Sequence, residues 1–94
     1  MNYIIISYDI TSNKKRRKVS DILEGYGNRV NRSLFECIIK NKSELDSLVE
    51  KIRHEVDLEK DSVRLYFTNS KDIDKSFAIT NEADPFENDK IKFM

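Results

Sequence analysis

Tyr3-Ile-Ile-Ile-Ser-Tyr-Asp-Ile10 is the stretch on which the fold turns. Its nearly unbroken β-branched and aromatic residues describe a strand covered on both faces, and therefore one placed centrally in a sheet. Thr11-Ser-Asn13 follows with side chains suited to an N-cap, and Val19, Ile22, Leu23 and Tyr26 then fall at i, i+3, i+4 and i+7, one helical stripe. Gly25 and Gly27 mark the end of that helix.

Beyond it, residues 28–33 are polar around Val30, as in a strand with one solvated face, and Leu34-Phe-Glu-Cys-Ile-Ile39 reads as a better-covered strand. Ser43-Glu-Leu-Asp46 is a variant capping box opening a second helix, whose stripe is Leu45, Leu48, Val49, Ile52 and Val56. Ser62-Val-Arg-Leu-Tyr-Phe67 alternates, with Val63, Leu65 and Phe67 on one face. The order β-α-β-β-α-β predicts an α+β, ferredoxin-like sandwich: an antiparallel four-stranded sheet with both helices on one face and the other face open for a partner subunit or nucleic acid. Residues 1–67 are the expected core. Residues 68–94 form a C-terminal extension in which an edge strand over about 77–80 is expected, with an acidic tail in the dimer or partner interface.

The chain has 94 residues, enough for one domain. No apolar run approaches the roughly 18 residues of a membrane span, and the run at Tyr3–Ile6 is too short for a signal-peptide core, so a cytoplasmic protein is expected. A single cysteine, Cys37, excludes an internal disulfide and a cysteine-based metal site. The formal charge of zero conceals a gradient: residues 1–42 hold nine basic and four acidic residues, and residues 43–94 hold eight basic and thirteen acidic. Such polarity presents a positive region to an anion while keeping the rest from non-specific adhesion.

Asp9 interrupts an apolar strand just before a helix, where a carboxylate either caps the turn or holds a hard divalent cation through oxygen. One carboxylate is few for metal-assisted phosphodiester cleavage, and a two-fold dimer that faces the first strand ends together supplies two. Asp57, Asp61 and Glu36 are rival acids. Lys14-Lys-Arg-Arg-Lys18 crowds five cations into the first turns of a helix, against its macrodipole, so a solvated face and a phosphate-binding face are the two readings. Arg29 and Arg32 extend the positive area. Tyr8 and Phe35 lie near the same ends, for packing in the core or for stacking on a base. Cys37 reads as a buried thiol and His54 as a surface residue.

Taken together, Tyr8-Asp9-Ile10, the Lys14–Lys18 run, Gly27-Asn-Arg-Val-Asn-Arg-Ser-Leu-Phe-Glu-Cys37 and Asp61-Ser-Val-Arg-Leu-Tyr66 resemble the small universal CRISPR-associated protein family described as endoribonucleases. The resemblance runs in order and spacing from about residue 1 to 67. It implies a homodimer of ferredoxin-like protomers in which Asp9 binds Mg²⁺ at the interface, with Tyr8, Arg16, Arg29 and Phe35 at positions linked to nucleic-acid contact or cleavage, and Lys14, Lys15, Lys18 and Arg32 adding positive charge. It further implies cleavage of single-stranded RNA or double-stranded DNA, a role in spacer acquisition and antiviral defence, and docking to the CRISPR integrase. Lys18 stands where some members have Arg, Asn31 where Gln is common and Leu34 where Val is common. Two other readings stay open: a non-catalytic DNA-binding scaffold that bridges integrase dimers, and a related toxin-type ribonuclease of the same fold.

Overall fold

The computed structural model describes residues 2–86. Four strands, β1 (Asn2–Asp9), β2 (Gly27–Asn31), β3 (Leu34–Ile39) and β4 (Ser62–Thr68), and three helices, α1 (Asn13–Glu24), α2 (Lys42–Glu55) and α3 (Ser70–Lys75), follow the order β1-α1-β2-β3-α2-β4-α3. The sheet is antiparallel with spatial order β2-β3-β1-β4, so β1 is interior as its composition predicts.

Alternation along β1 decides which side chains meet the helices. Ile4, Ile6 and Tyr8 point to the helical face and join Phe35, Cys37 and Ile39 of β3, Val19 and Leu23 of α1, and Leu48 and Ile52 of α2 in the main core. Ile10, just past the strand, is buried there too. Burial pushes the Cys37 thiol up to about 12, with the neighbouring Glu36 charge adding to the effect.

Local chemistry sets the boundaries. Ser12 caps α1, its hydroxyl accepting from the Lys15 amide. The expected cap of α2 at Ser43 is displaced to Asn41, whose side-chain oxygen accepts from the Glu44 amide at 2.9 Å; Asp46 instead pairs with Lys42 one turn back. The second strand ends at Asn31, two residues short of the expected limit, because Asn31 Oδ1 accepts from the Ser33 amide and turns the chain. The register of β2 on β3 shifts between Arg29 and Asn31, a bulge at Val30.

The second sheet face is partly covered, where the sequence leaves it open. Helix α3, which carries a single apolar residue in contact with the sheet, is capped by Asn69 and places Ile73 beside Tyr3. Phe86 joins them with its ring edge-on to Tyr3 at 5.7 Å, and its amide donates to Glu36 Oε1 at 3.0 Å. Residues 77–80 form no strand within the protomer: the Ala78 amide, a donor an edge strand would use, is taken by Asp84 at 2.9 Å, and Phe77 and Ile79 are exposed. Residues 87–94, the acidic tail, lie outside the described residues.

Gly27 sits where β2 presses on β3. A Cβ there would lie 2.6 Å from Cys37 Cα and closer still to the Glu36 carbonyl oxygen. Gly27→Ala is therefore expected to destabilise the fold by about 1–3 kcal/mol, measured by urea unfolding, because the obstruction is backbone that cannot rotate away.

Candidate metal and nucleic-acid site

Asp9 closes β1 on the face away from α1 and α2. It pairs with Ser62 of β4 and is exposed. Its carboxylate makes no hydrogen bond or ion pair among the described residues. The same face carries Ile5 and Ser7 of β1, Leu34 of β3, and Arg64 and Tyr66 of β4, with the Arg64 guanidinium 5.5 Å over the Tyr66 ring. Tyr66 is 46% exposed, and the covering by α3 and Phe86 reaches Tyr3, Ile5, Glu36 and Ile38. Asp9 therefore stands at the rim of an open, mixed apolar and polar surface.

The rival acids are engaged with backbone. Asp57 Oδ1 accepts from the Glu59 and Lys60 amides at 2.9 and 3.1 Å. Asp61 accepts from the Thr11 amide at 3.0 Å and from the Asp57 amide at 2.9 Å. These amide donors hold both carboxyls below the usual carboxylate range. Glu36 faces the open side of the sheet at the Phe86 amide. No cluster of three or more His, Cys, Asp or Glu that could hold a metal ion is present among the described residues, and of the four acids singled out from the sequence Asp9 is the one whose carboxylate is not engaged by another described group.

The basic residues divide into two groups. Arg16 and Arg17 of α1 and Arg29 of β2 meet at a cleft of about 370 Å³ between helix and strand, which Asp21 and Glu24 close at the other end. Arg16 also donates to the Ile10 carbonyl at 3.0 Å and to Asn13. Arg29 donates to the Asn31 and Arg32 carbonyls at 3.3 and 3.2 Å, so its guanidinium braces the β2–β3 turn while its flank faces the cleft. Lys14, Lys15 and Arg32 are exposed and do not line this cleft. Lys18 approaches Glu55 of α2 at 3.8 Å. The α1–β2 contact is a tertiary one, which is why helical spacing alone gave Arg17 no place beside Arg29.

Tyr8 and Phe35, for which the sequence allows core packing or base stacking, are 2% and 0% exposed. Their rings lie 6.2 Å apart in the core, where no base can reach them. Tyr8 acts instead on the hairpin: its hydroxyl donates to the Arg32 carbonyl at 2.9 Å and its amide to the Ser33 carbonyl at 3.0 Å. The turn that displays Arg32 is thereby anchored to the strand that displays Asp9. Among the described residues no helix is long and apolar enough to cross a membrane.

The sequence model of the family described as CRISPR associated protein Cas2 matches residues 1–76. The chain is 44% identical over 62 residues to CRISPR-associated endoribonuclease Cas2 3 of Synechocystis sp., spanning 66% of this chain and 66% of that protein, just under two thirds of its length. It is 38% identical over 68 residues to CRISPR-associated endonuclease Cas2 of Halalkalibacterium halodurans, spanning 67% of this chain and 70% of that one. Among solved structures, a chain of a partial Cas6-RT-Cas1–Cas2 complex superposes with a TM-score of 0.76 at 31% identity, covering 88% of this chain and 90% of its own. Streptococcus pyogenes Cas2 superposes with a TM-score of 0.74 over 83% of this chain and 99% of its own; at 23% identity it bears on the fold alone.

Both depressed carboxyls contribute stability above their ordinary value of 3.8 that is lost as pH falls through their folded-state values. The melting temperature is expected to be insensitive to these groups above about pH 5 and to fall on acidification below 3.8. In Asp57→Asn that acid-dependent part shrinks, as scanning calorimetry across pH 2–7 would report.

Proposed function

This chain belongs to the CRISPR associated protein Cas2 family, and from that premise we propose that it is a CRISPR adaptation protein with metal-dependent endonuclease activity, working as a homodimer. The observation that carries the reading is Asp9: an exposed carboxylate without a partner among the described residues, at the rim of the open sheet face. Two protomers apposed by that face bring two such carboxylates to one axis. The half-buried Leu34 and the half-exposed Tyr66 supply apolar surface for the apposition, and the open face ends where α3 and Phe86 cover Tyr3 and Ile5.

The chemistry of the donor set suits Mg²⁺, a hard cation commonly held by one or two carboxylates together with substrate phosphate and water. What Mg²⁺ supplies when bound is charge stabilisation at the phosphoryl oxygens and an activated water. The chain's own residues do the rest. Asp9 orients the cation side of the site, Arg16, Arg17 and Arg29 offer guanidinium donors to backbone phosphates, and Lys14, Lys15, Lys18 and Arg32 add sequence-independent attraction. RNA and duplex DNA share this phosphate chemistry, and both are substrates to be tested. By analogy with the solved complex that contains Cas1 and Cas2, an integrase subunit is the expected protein partner, in the cytoplasm.

One observation favours a second reading. The described residues hold no cluster of three or more metal-ligating side chains, so the catalytic equipment is sparse, whereas the cations of α1 and the hairpin suit phosphate binding without cleavage. A scaffold that holds duplex DNA for the integrase needs the latter and not the former. A toxin-type ribonuclease would keep the fold and the carboxylate without the integrase partner.

Two measurements separate these readings. Asp9→Ala is expected to cut Mg²⁺-dependent cleavage of labelled RNA or duplex DNA by at least about 100-fold while leaving binding intact, with EDTA doing the same to wild type. Equal cleavage by the variant refutes the nuclease site, and binding without cleavage by either protein establishes the scaffold. Arg17→Ala is expected to weaken binding uniformly across sequences and to flatten the log affinity against log salt slope by about 1, read by fluorescence anisotropy.

A further inference from the structure

The backbone that follows Asp9 is held at three points. The Ile10 side chain is buried in the main core. The Ile10 carbonyl accepts from Arg16 at 3.0 Å, and the Thr11 amide donates to Asp61 Oδ1 at 3.0 Å. The other Asp61 oxygen accepts the Asp57 amide at 2.9 Å, which closes the loop leading into β4. Asp61 also immediately precedes Ser62, the cross-strand partner of Asp9. One carboxylate thus joins the exit of β1 to the entry of β4 on either side of the residue that projects Asp9.

We infer that Asp61 is a positioning residue: through the Thr11 amide it fixes the backbone from which the Asp9 carboxylate projects, and so sets the affinity of that carboxylate for a divalent cation. The inference rests on the reading of Asp9 as the cation ligand. Its physical ground is geometric tolerance. Strand termini fray, whereas Mg²⁺ demands short, near-octahedral oxygen contacts, so a ligand on a strand's last residue works only if the chain beyond it is immobilised. Groups that hold a ligand in place typically affect metal affinity by 10- to 100-fold.

Asp57 provides the internal control. Its carboxylate folds the same loop through the Glu59 and Lys60 amides and makes no hydrogen bond to β1 or to the Ile10–Thr11 backbone, and its substitution by Ala keeps the backbone amide that Asp61 accepts. A carboxylate that merely stabilises the loop predicts the same consequence at both positions. A positioning role predicts a difference.

The test is Mn²⁺ binding to the full chain, followed by electron paramagnetic resonance, beside the Mg²⁺ dependence of cleavage and the melting temperature. Asp61→Ala is expected to raise the Mn²⁺ dissociation constant, and the Mg²⁺ concentration for half-maximal cleavage, about tenfold, while nucleic-acid binding in EDTA is unchanged. Asp57→Ala lowers the melting temperature and binds Mn²⁺ as wild type does. Asp61→Asn keeps an oxygen for the Thr11 amide but cannot accept from both amides at once, and falls between wild type and Asp61→Ala; it carries the comparison if Asp61→Ala fails to fold. Equal shifts in the Asp61 and Asp57 variants, or no shift in Asp61→Ala while Asp9→Ala abolishes Mn²⁺ binding, overturn the positioning role and leave Asp9 as ligand. Unaltered Mn²⁺ binding by Asp9→Ala overturns the ligand assignment, and the positioning role falls with it.

Discussion

The register of β1 is the constraint on which everything else in this protein depends. The strand is paired along both edges, so its side chains alternate between the helical core and the opposite face with no freedom to slip. A shift by one residue would turn Ile4, Ile6 and Tyr8 out of the core and drive the Asp9 carboxylate into it, an unpaired buried charge at the cost of several kilocalories per mole. The same alternation that builds the core therefore also delivers one carboxylate to the open face. Core and candidate site are two faces of a single strand.

Around that strand, hydrogen bonds tie the hairpin turn, the end of β1 and the first turn of α1 into one corner. Tyr8 grips the hairpin turn through the Arg32 carbonyl, Arg29 braces the same carbonyl from the strand side, and Arg16 holds the Ile10 carbonyl from α1. Two of the three are charged groups bonded to neutral backbone oxygens, bonds that do not neutralise the guanidinium charge. Structural bracing and phosphate attraction are thus compatible duties for the same arginines. Of the five consecutive cations near the N-terminus of α1, Arg16 combines both duties in this way.

Much of this was legible in the residues. An unbroken apolar run marks β1, alternation marks β4 and the 3.6-residue period marks both long helices, with the half-polar and better-covered stretches between them giving β2 and β3. Asp9 stands out for the same reason, as a charge that breaks an apolar run. Three features were not legible. Helix α3 has one buried apolar residue, too few to make a period. The α2 cap lies at Asn41 because side-chain geometry, and not motif spelling, selects among nearby candidates. Arg17 enters the cleft only because α1 lies against β2. Local pattern cannot report on contacts between elements.

The lone cysteine has a practical corollary. Cys37 is wholly enclosed in the core, and its thiol ionises only near about 12, so at neutral pH the folded protein presents a surface without thiolate nucleophiles. Any cysteine introduced on the exposed side of the sheet would be chemically unique without removal of a native one. The sheet face that carries Asp9 is thus open to spectroscopic labels and cross-linkers at single, chosen positions, and the separation between two chains in solution becomes a measurable distance.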